Sequence, residues 1–151
     1  MVNLTRLDPE GECLSGETGD VMKLDGDKFV TPLGGVVYDL FVQAIGTEML
    51  VRGKLHQDFD LVCSRCNETF GYRVKVPDFI ASVEIDEKTE FADLTDEVRE
   101  SIILGLPTYP VCREGCKGLC VRCGKNLNEG SCGCTEESGD SRWGALDALE
   151  L

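Results

Sequence analysis

A chain of 151 residues, 42% of them hydrophobic, suits one domain with a real core and is too apolar for a disordered tail. Its net charge of −13 argues against a general nucleic-acid binder, because counterion release needs surface Lys and Arg. No apolar run approaches the roughly 18 residues of a membrane helix, and the opening ten residues lack a basic region followed by an apolar stretch. The expectation is a soluble protein of the cytoplasm or an equivalent reducing compartment.

The first 34 residues are rich in Gly, Asp and Glu and predict a strand or two joined by loops, with Cys13 as a small core residue. Pro32-Leu33-Gly34-Gly35 signals a turn. Val36 to Ile45 is β-rich and ends at Gly46. Glu48 to Lys54 forms the next run, and Leu55, Gln57, Phe59, Leu61 and Cys63 then fall at period two. Phe70, Tyr72, Val74 and Val76 repeat that period up to Pro77, and Phe79 to Ile85 adds another short strand. An antiparallel sheet or partly open barrel follows, with Cys63 and Cys66 at a hairpin tip.

The period then changes. Leu94, Val98, Ile102 and Leu106 recur at helical spacing, so Thr95 to about Leu104 reads as an amphipathic helix laid on the sheet. Thr95 serves as its N-cap, Asp96 and Glu97 occupy the first turn, and Gly105 and Pro107 end it.

Between Cys112 and Cys134 lie six of the nine cysteines, spaced by Gly, Asn and Lys with almost nothing to bury. Such a segment needs a cross-link. Disulfides are rare in a reducing compartment and an odd cysteine count strands one thiol, so zinc is favoured. Cys120-Val-Arg-Cys123-Gly is a C-x2-C-G turn, and Cys63-Ser-Arg-Cys66 is a second one of that type. With Cys112, Cys116, Cys132 and Cys134 they make eight candidate ligands, enough for one or two structural zinc ions. The partition stays open: Cys120 and Cys123 join either Cys132 and Cys134 locally, or Cys63 and Cys66 across the fold.

The fold class expected is therefore α+β, mainly antiparallel sheet with one amphipathic helix and a Cys-rich zinc knuckle near the C-terminus. Residues 1–110 form the β domain and 111–134 the zinc-binding segment packed on it. Residues 135–151 make an acidic linker and a short C-terminal helix that docks Trp143 either back on the domain or onto a partner.

Charge is uneven along the chain. Residues 52–75 hold five bases against three acids, and 111–126 four against one. These are the segments with the paired cysteines, so Arg52, Lys54, Lys75 and especially Arg65, Arg73, Arg113, Lys117, Arg122 and Lys125 are candidate contacts for RNA or a protein partner. Each zinc bound by four thiolates adds a formal −2, so any RNA contact is local. The acidic remainder suits a basic protein such as a ribosomal protein.

Enzyme signatures are missing. The one histidine, His56, lies in a strand-like stretch with no His-Glu-x-x-His. His56-Gln57-Asp58 fails the His-x-Glu of nucleotide deaminases, and no GxxxxGK loop is present. A thioredoxin-like reading of Cys63 to Cys66 would want a βαβ setting. No catalytic residues and no small-molecule substrate are expected.

Several stretches in this order resemble the YceD family, whose members are called large ribosomal RNA subunit accumulation proteins. They are Leu14-Ser-Gly-Glu17, Leu50-Val-Arg-Gly53, Leu61 to Phe70, Asp93 to Pro107, Lys117-Gly-Leu-Cys120 to Asn128, and Arg142 to Leu149. The resemblance implies a non-enzymatic factor that supports accumulation of large-subunit (23S) rRNA and large-subunit assembly, by binding an rRNA precursor or a ribosomal protein. Some members lack most of these cysteines, which implies that metal supports structure here. The alternative from another class is a thiol-based redox- or zinc-responsive regulator.

Overall fold

The structure, a computed structural model, describes residues 1–134 apart from 20, 23, 25, 26 and 87. The expected linker and Trp143 helix lie outside the described residues. A four-stranded antiparallel sheet in the order β2-β3-β4-β5 makes most of the fold: β2 Glu12–Glu17, β3 Val30–Ile45, β4 Glu48–Val62 and β5 Thr69–Glu84. Two short strands, β1 Val2–Asn3 and β6 Phe91–Ala92, pair antiparallel beside it. One helix, α1 Thr95–Leu104, follows β6. This is the expected α+β class, with an open sheet edged by β2 and β5.

The long strands absorb residues that break shorter ones. Pro32 to Gly35 is not a turn, because β3 runs through it and the register slips between Leu33 and Val37. A Cβ on Gly35 would lie 1.8 Å from the carbonyl oxygen of Thr18, so the bulge brings β3 against the end of β2 where only glycine fits. Gln57, buried within the core face, spends its amide on this bulge by donating from Nε2 to the carbonyl of Gly34 at 3.1 Å. Pro77 likewise does not end β5. Gly53 pairs with Phe79 and Leu55 with Val76, which leaves Pro77 and Asp78 opposite Lys54. Proline has no N–H for a ladder, and an edge-strand bulge needs none. The extra residue also switches the alternation, so Val74 and Val76 before it and Phe79 and Ala81 after it turn to the same side.

That side is the core. Phe59, Leu55, Leu61, Met49, Val36, Val42, Val51 and Val74 are each at most 2% exposed, and α1 closes over them with Val98 and the fully buried Ile102. Met22, in the loop before β3, is 1% exposed and completes the cluster. The predicted stripe of Leu94, Val98, Ile102 and Leu106 faces the sheet as expected. Two local expectations fail. Thr95 does not cap the helix: Asp93 Oδ1 accepts from the Thr95 N–H (3.1 Å) and hydroxyl (2.6 Å), because its carboxylate stands one position outside the N-cap residue Leu94. Cys13 is exposed, because Leu14 takes the inward position on β2.

The sheet core therefore sets the stability of the sheet and of α1 packed on it. Phe59→Ala should lower the unfolding free energy by about 3–5 kcal/mol, read by urea titration of the sheet signal. Cys13→Ser should change it by less than about 0.5 kcal/mol.

Candidate metal centre

The two C-x2-C turns share one hydrogen-bonding plan. In the turn after β4, the Cys63 N–H donates to the carbonyl of Glu68 (2.8 Å) and the Asn67 N–H to the carbonyl of Cys63 (2.9 Å). In the second, the Cys120 N–H donates to Lys125 (2.8 Å) and the Gly124 N–H to Cys120 (2.8 Å). The residue after the second cysteine is left-handed in both, with φ 61° at Asn67 and 71° at Gly124. Glycine and asparagine are the residues that enter that region at least cost.

Eight sulfurs gather into two groups of four, Cys63, Cys66, Cys112, Cys116 and Cys120, Cys123, Cys132, Cys134, with ligand atoms in each within 4.8 Å of one another. Of the two partitions left open by the spacing, the structure has the local one. In the first group Cys63 Sγ lies 3.9 Å from Cys116 Sγ, and Cys66 Sγ lies 3.8 Å from Cys112 Sγ. Four sulfurs about 2.3 Å from a central zinc stand about 3.8 Å apart. The donor set is all thiol, which fits a soft, tetrahedral ion, and the closed count of four fits a structural role.

The first group is enclosed. Cys63, Cys66 and Cys116 are 2, 3 and 6% exposed, with Phe70 and Val111 packed on them. Burial pushes the Cys63 thiol up, but the N–H groups of Cys112, Cys66 and Arg65 outweigh it and bring it to about 6. Those of Arg65 and Cys112 each stand 3.4 Å from its sulfur. The Asn128 amide, 3.4 Å from Cys116 Sγ, holds that thiol down against burial. Cys112 is pushed up to about 12 by burial and by the sulfurs of Cys116, Cys63 and Cys66. Around the second group, the N–H groups of Cys123 and Arg122 lower Cys120 to about 6, while Cys123 and Cys132 push Cys134 up to about 12. Each group thus pairs a ready thiolate with a thiol that yields its proton to an incoming cation.

Asn126, Asn128 and Glu68 join the two groups and were not singled out as functional from the sequence. Asn128 accepts from the Lys117 N–H (2.9 Å) while its amide reaches Cys116. Asn126 Oδ1 accepts from the N–H of Asn128 (3.0 Å), and Asn126 Nδ2 donates to Glu68 Oε1 (2.8 Å). The only hint was the Lys125-Asn-Leu-Asn128 run itself, in which short amides follow a C-x2-C-G turn.

Many of the proposed basic contacts already have intramolecular partners. Arg73 forms a two-point pair with Asp58 (2.6 and 2.7 Å), and Arg52 lies over the Phe41 ring at 5.0 Å. Arg65 Nη1 donates to the carbonyls of Cys116 (3.3 Å) and Glu114 (3.5 Å), and Lys125 Nζ to Ser131 (3.1 Å). Arg113 and Lys117 have exposed side chains beside the first group. No helix among the described residues is long and apolar enough to cross a membrane.

An open antiparallel sheet whose hairpin tip meets a C-terminal segment through four thiols, with a second four-thiol turn beyond, defines a small α+β protein with two candidate metal cages. Residues 78–150, from the β5 bulge through the Cys-rich segment, match the family model described as Large ribosomal RNA subunit accumulation protein YceD. A chloroplast protein of Arabidopsis thaliana, named Large ribosomal RNA subunit accumulation protein YCED homolog 1, is 35% identical over 57 residues, which is 38% of this chain and 18% of that protein. An uncharacterized protein of Mycobacterium tuberculosis is 34% identical over 122 residues, covering 72% of this chain and 58% of its own length. One from Mycobacterium leprae is 30% identical over 105 residues, with 59% and 48% covered. The chain thus spans less than two thirds of these relatives. No solved structure matches it.

The Asn128 contact is directly testable. Asn128→Asp keeps the acceptor for Lys117 but removes the donor to Cys116, so the Cys116 thiol should rise. With the chain loaded with Zn2+, the first cage should then give up its ion to a chelator about tenfold more readily than in the unaltered chain, read by a colorimetric zinc assay.

Proposed function

We propose that this chain is a non-enzymatic factor that supports accumulation of large-subunit (23S) ribosomal RNA and assembly of the large ribosomal subunit. It acts in the cytoplasm by binding an rRNA precursor or a basic ribosomal protein. The family match over residues 78–150 carries this reading, and the name of the chloroplast relative supports it. The four-thiol cages favour a structural role as well, since four protein ligands leave no open position on a metal for substrate.

In this reading both cages hold zinc. Residues 1–110 form the β domain, 111–134 the zinc-binding segment, and 135–151 an acidic linker with a short helix. Arg65, Arg113, Lys117, Arg122 and Lys125 line the contact surface, with Arg73 at its margin because Asp58 already offsets its charge. Purified chain should carry two zinc ions. Cys116→Ser should carry one, with the sheet retained and residues 111–134 newly open to protease.

Affinity capture of the tagged chain from growing cells, with and without ribonuclease, tests the reading. Large-subunit proteins or precursor rRNA are expected, and ribonuclease sensitivity tells an RNA bridge from a protein contact. Capture of neither at native expression and low salt overturns it. One observation supports the alternative of a thiol-based regulator: Cys123 and Cys134 of the second cage are exposed, whereas the first cage is enclosed. Zinc loss with reversible disulfides at Cys120 to Cys134 under mild peroxide would favour that alternative.

A further inference from the structure

A cavity of about 510 Å³ opens beside the first cage. Its walls come from the residues entering β3, from the Cys63–Asn67 turn, from the segment after α1, and from Leu119. These parts are distant in sequence, and the first cage with its backbone bonds brings them together. The Ser64 N–H donates to the carbonyl of Pro110 (2.8 Å), and the Leu119 N–H to that of Arg65 (3.0 Å). A metal that closes the cage therefore also builds the cavity.

The lining has two characters. The Phe29 ring is 62% exposed and Leu119 40%, so both present apolar surface that the core does not use. Ser64, Asn67 and Thr108 stand on the same cavity, and their side chains make no hydrogen bond among the described residues. An apolar side chain of a protein partner would cover Phe29 and Leu119 but would leave these polar groups desolvated and unpaired, at a cost for each. An RNA base matches both: its face stacks on an aromatic ring, and its edge takes hydrogen bonds from hydroxyls and amides. The local charge agrees. Residues 63–67 and 108–125 hold five bases against one acid in an otherwise strongly acidic chain, and Arg65 is fixed at the cavity by its bonds to the Glu114 and Cys116 carbonyls.

We propose that this cavity receives one unpaired base of a single-stranded RNA segment, stacked on Phe29 with its edge toward Ser64, Asn67 and Thr108, while Arg113 and Lys117 meet the flanking phosphates. The inference rests on the ribosomal RNA reading and deepens it, since it names the RNA form and the residues that take it.

The test uses the full metal-loaded chain and a short single-stranded RNA of mixed sequence carrying thiouridine. Photocrosslinks should map to the peptide containing Phe29. Phe29→Ala should weaken binding about tenfold, within the range for losing one base stack. Phe29→Tyr should restore it, and Thr108→Val should weaken it several-fold. Phe91→Ala removes a ring 54% exposed on β6 and should change nothing. Unchanged affinity in Phe29→Ala, crosslinks elsewhere, or equal competition by duplex RNA overturns the proposal. So does an apolar peptide whose binding falls in Phe29→Ala while that of the RNA does not. If cells yield rRNA on capture but Phe29→Ala captures it equally well, the cavity assignment falls and the proposed function stands. If oligonucleotides bind at Phe29 but cells yield neither rRNA nor ribosomal protein, the function falls and the cavity stands.

Discussion

The meeting of Cys63 and Cys66 with Cys112 and Cys116 is the constraint on which the segment after Pro110 depends. The paired sulfurs are 53 and 46 residues apart in sequence, so closing this group means closing a long loop against chain entropy. The segment after Pro110 buries almost nothing that could offset that entropy. Hydrogen bonds to Pro110, Arg65 and Glu68 align the partners, but each is worth only about 0.5–1.5 kcal/mol net. A metal held by these four thiolates would supply far more, on the order of 10 kcal/mol in small zinc domains.

The sheet has a hydrophobic core of its own, separate from the buried cysteines, and the polar groups are laid out accordingly. In the β domain, polar side chains repair local defects, as Gln57 does at the β3 bulge and Asp93 at the start of α1. In the Cys-rich segment they serve the sulfurs. Asn128 touches Cys116 directly, and Asn126 tethers the second turn to Glu68 beside the first. The two cages are therefore mechanically linked even though they share no cysteine.

Periodicity made the sheet legible. Strand β4 keeps its alternation throughout and β5 keeps it on either side of its bulge, and the helix stripe from Leu94 to Leu106 differs in period from both. Pro32 to Gly35 and Pro77 misled because glycine and proline mark a bulge as readily as a turn, and only the register of a neighbouring strand separates the two. Cys13 misled because cysteine is usually buried and one exposed cysteine leaves no pattern. The eight cage cysteines were legible from spacing, but their partition was not, because the loops between the pairs permit either closure. The Asn126 and Asn128 network depends on where the second turn lies against the first, which no local pattern encodes.

The twin architecture of the C-x2-C turns also sets an order of events for a newly made chain. The second cage draws all its sulfurs from one short stretch, Cys120 to Cys134, and local contacts of this kind close quickly. The first has to wait for the β4-β5 hairpin to present Cys63 and Cys66 and for α1 to pass. Yet its last cysteine, Cys116, leaves the ribosome before Cys120 does. The half-built pair Cys63 and Cys66 is thus the long-lived open chelate during synthesis, and the sheet beneath it is what keeps those two thiols poised for their partners.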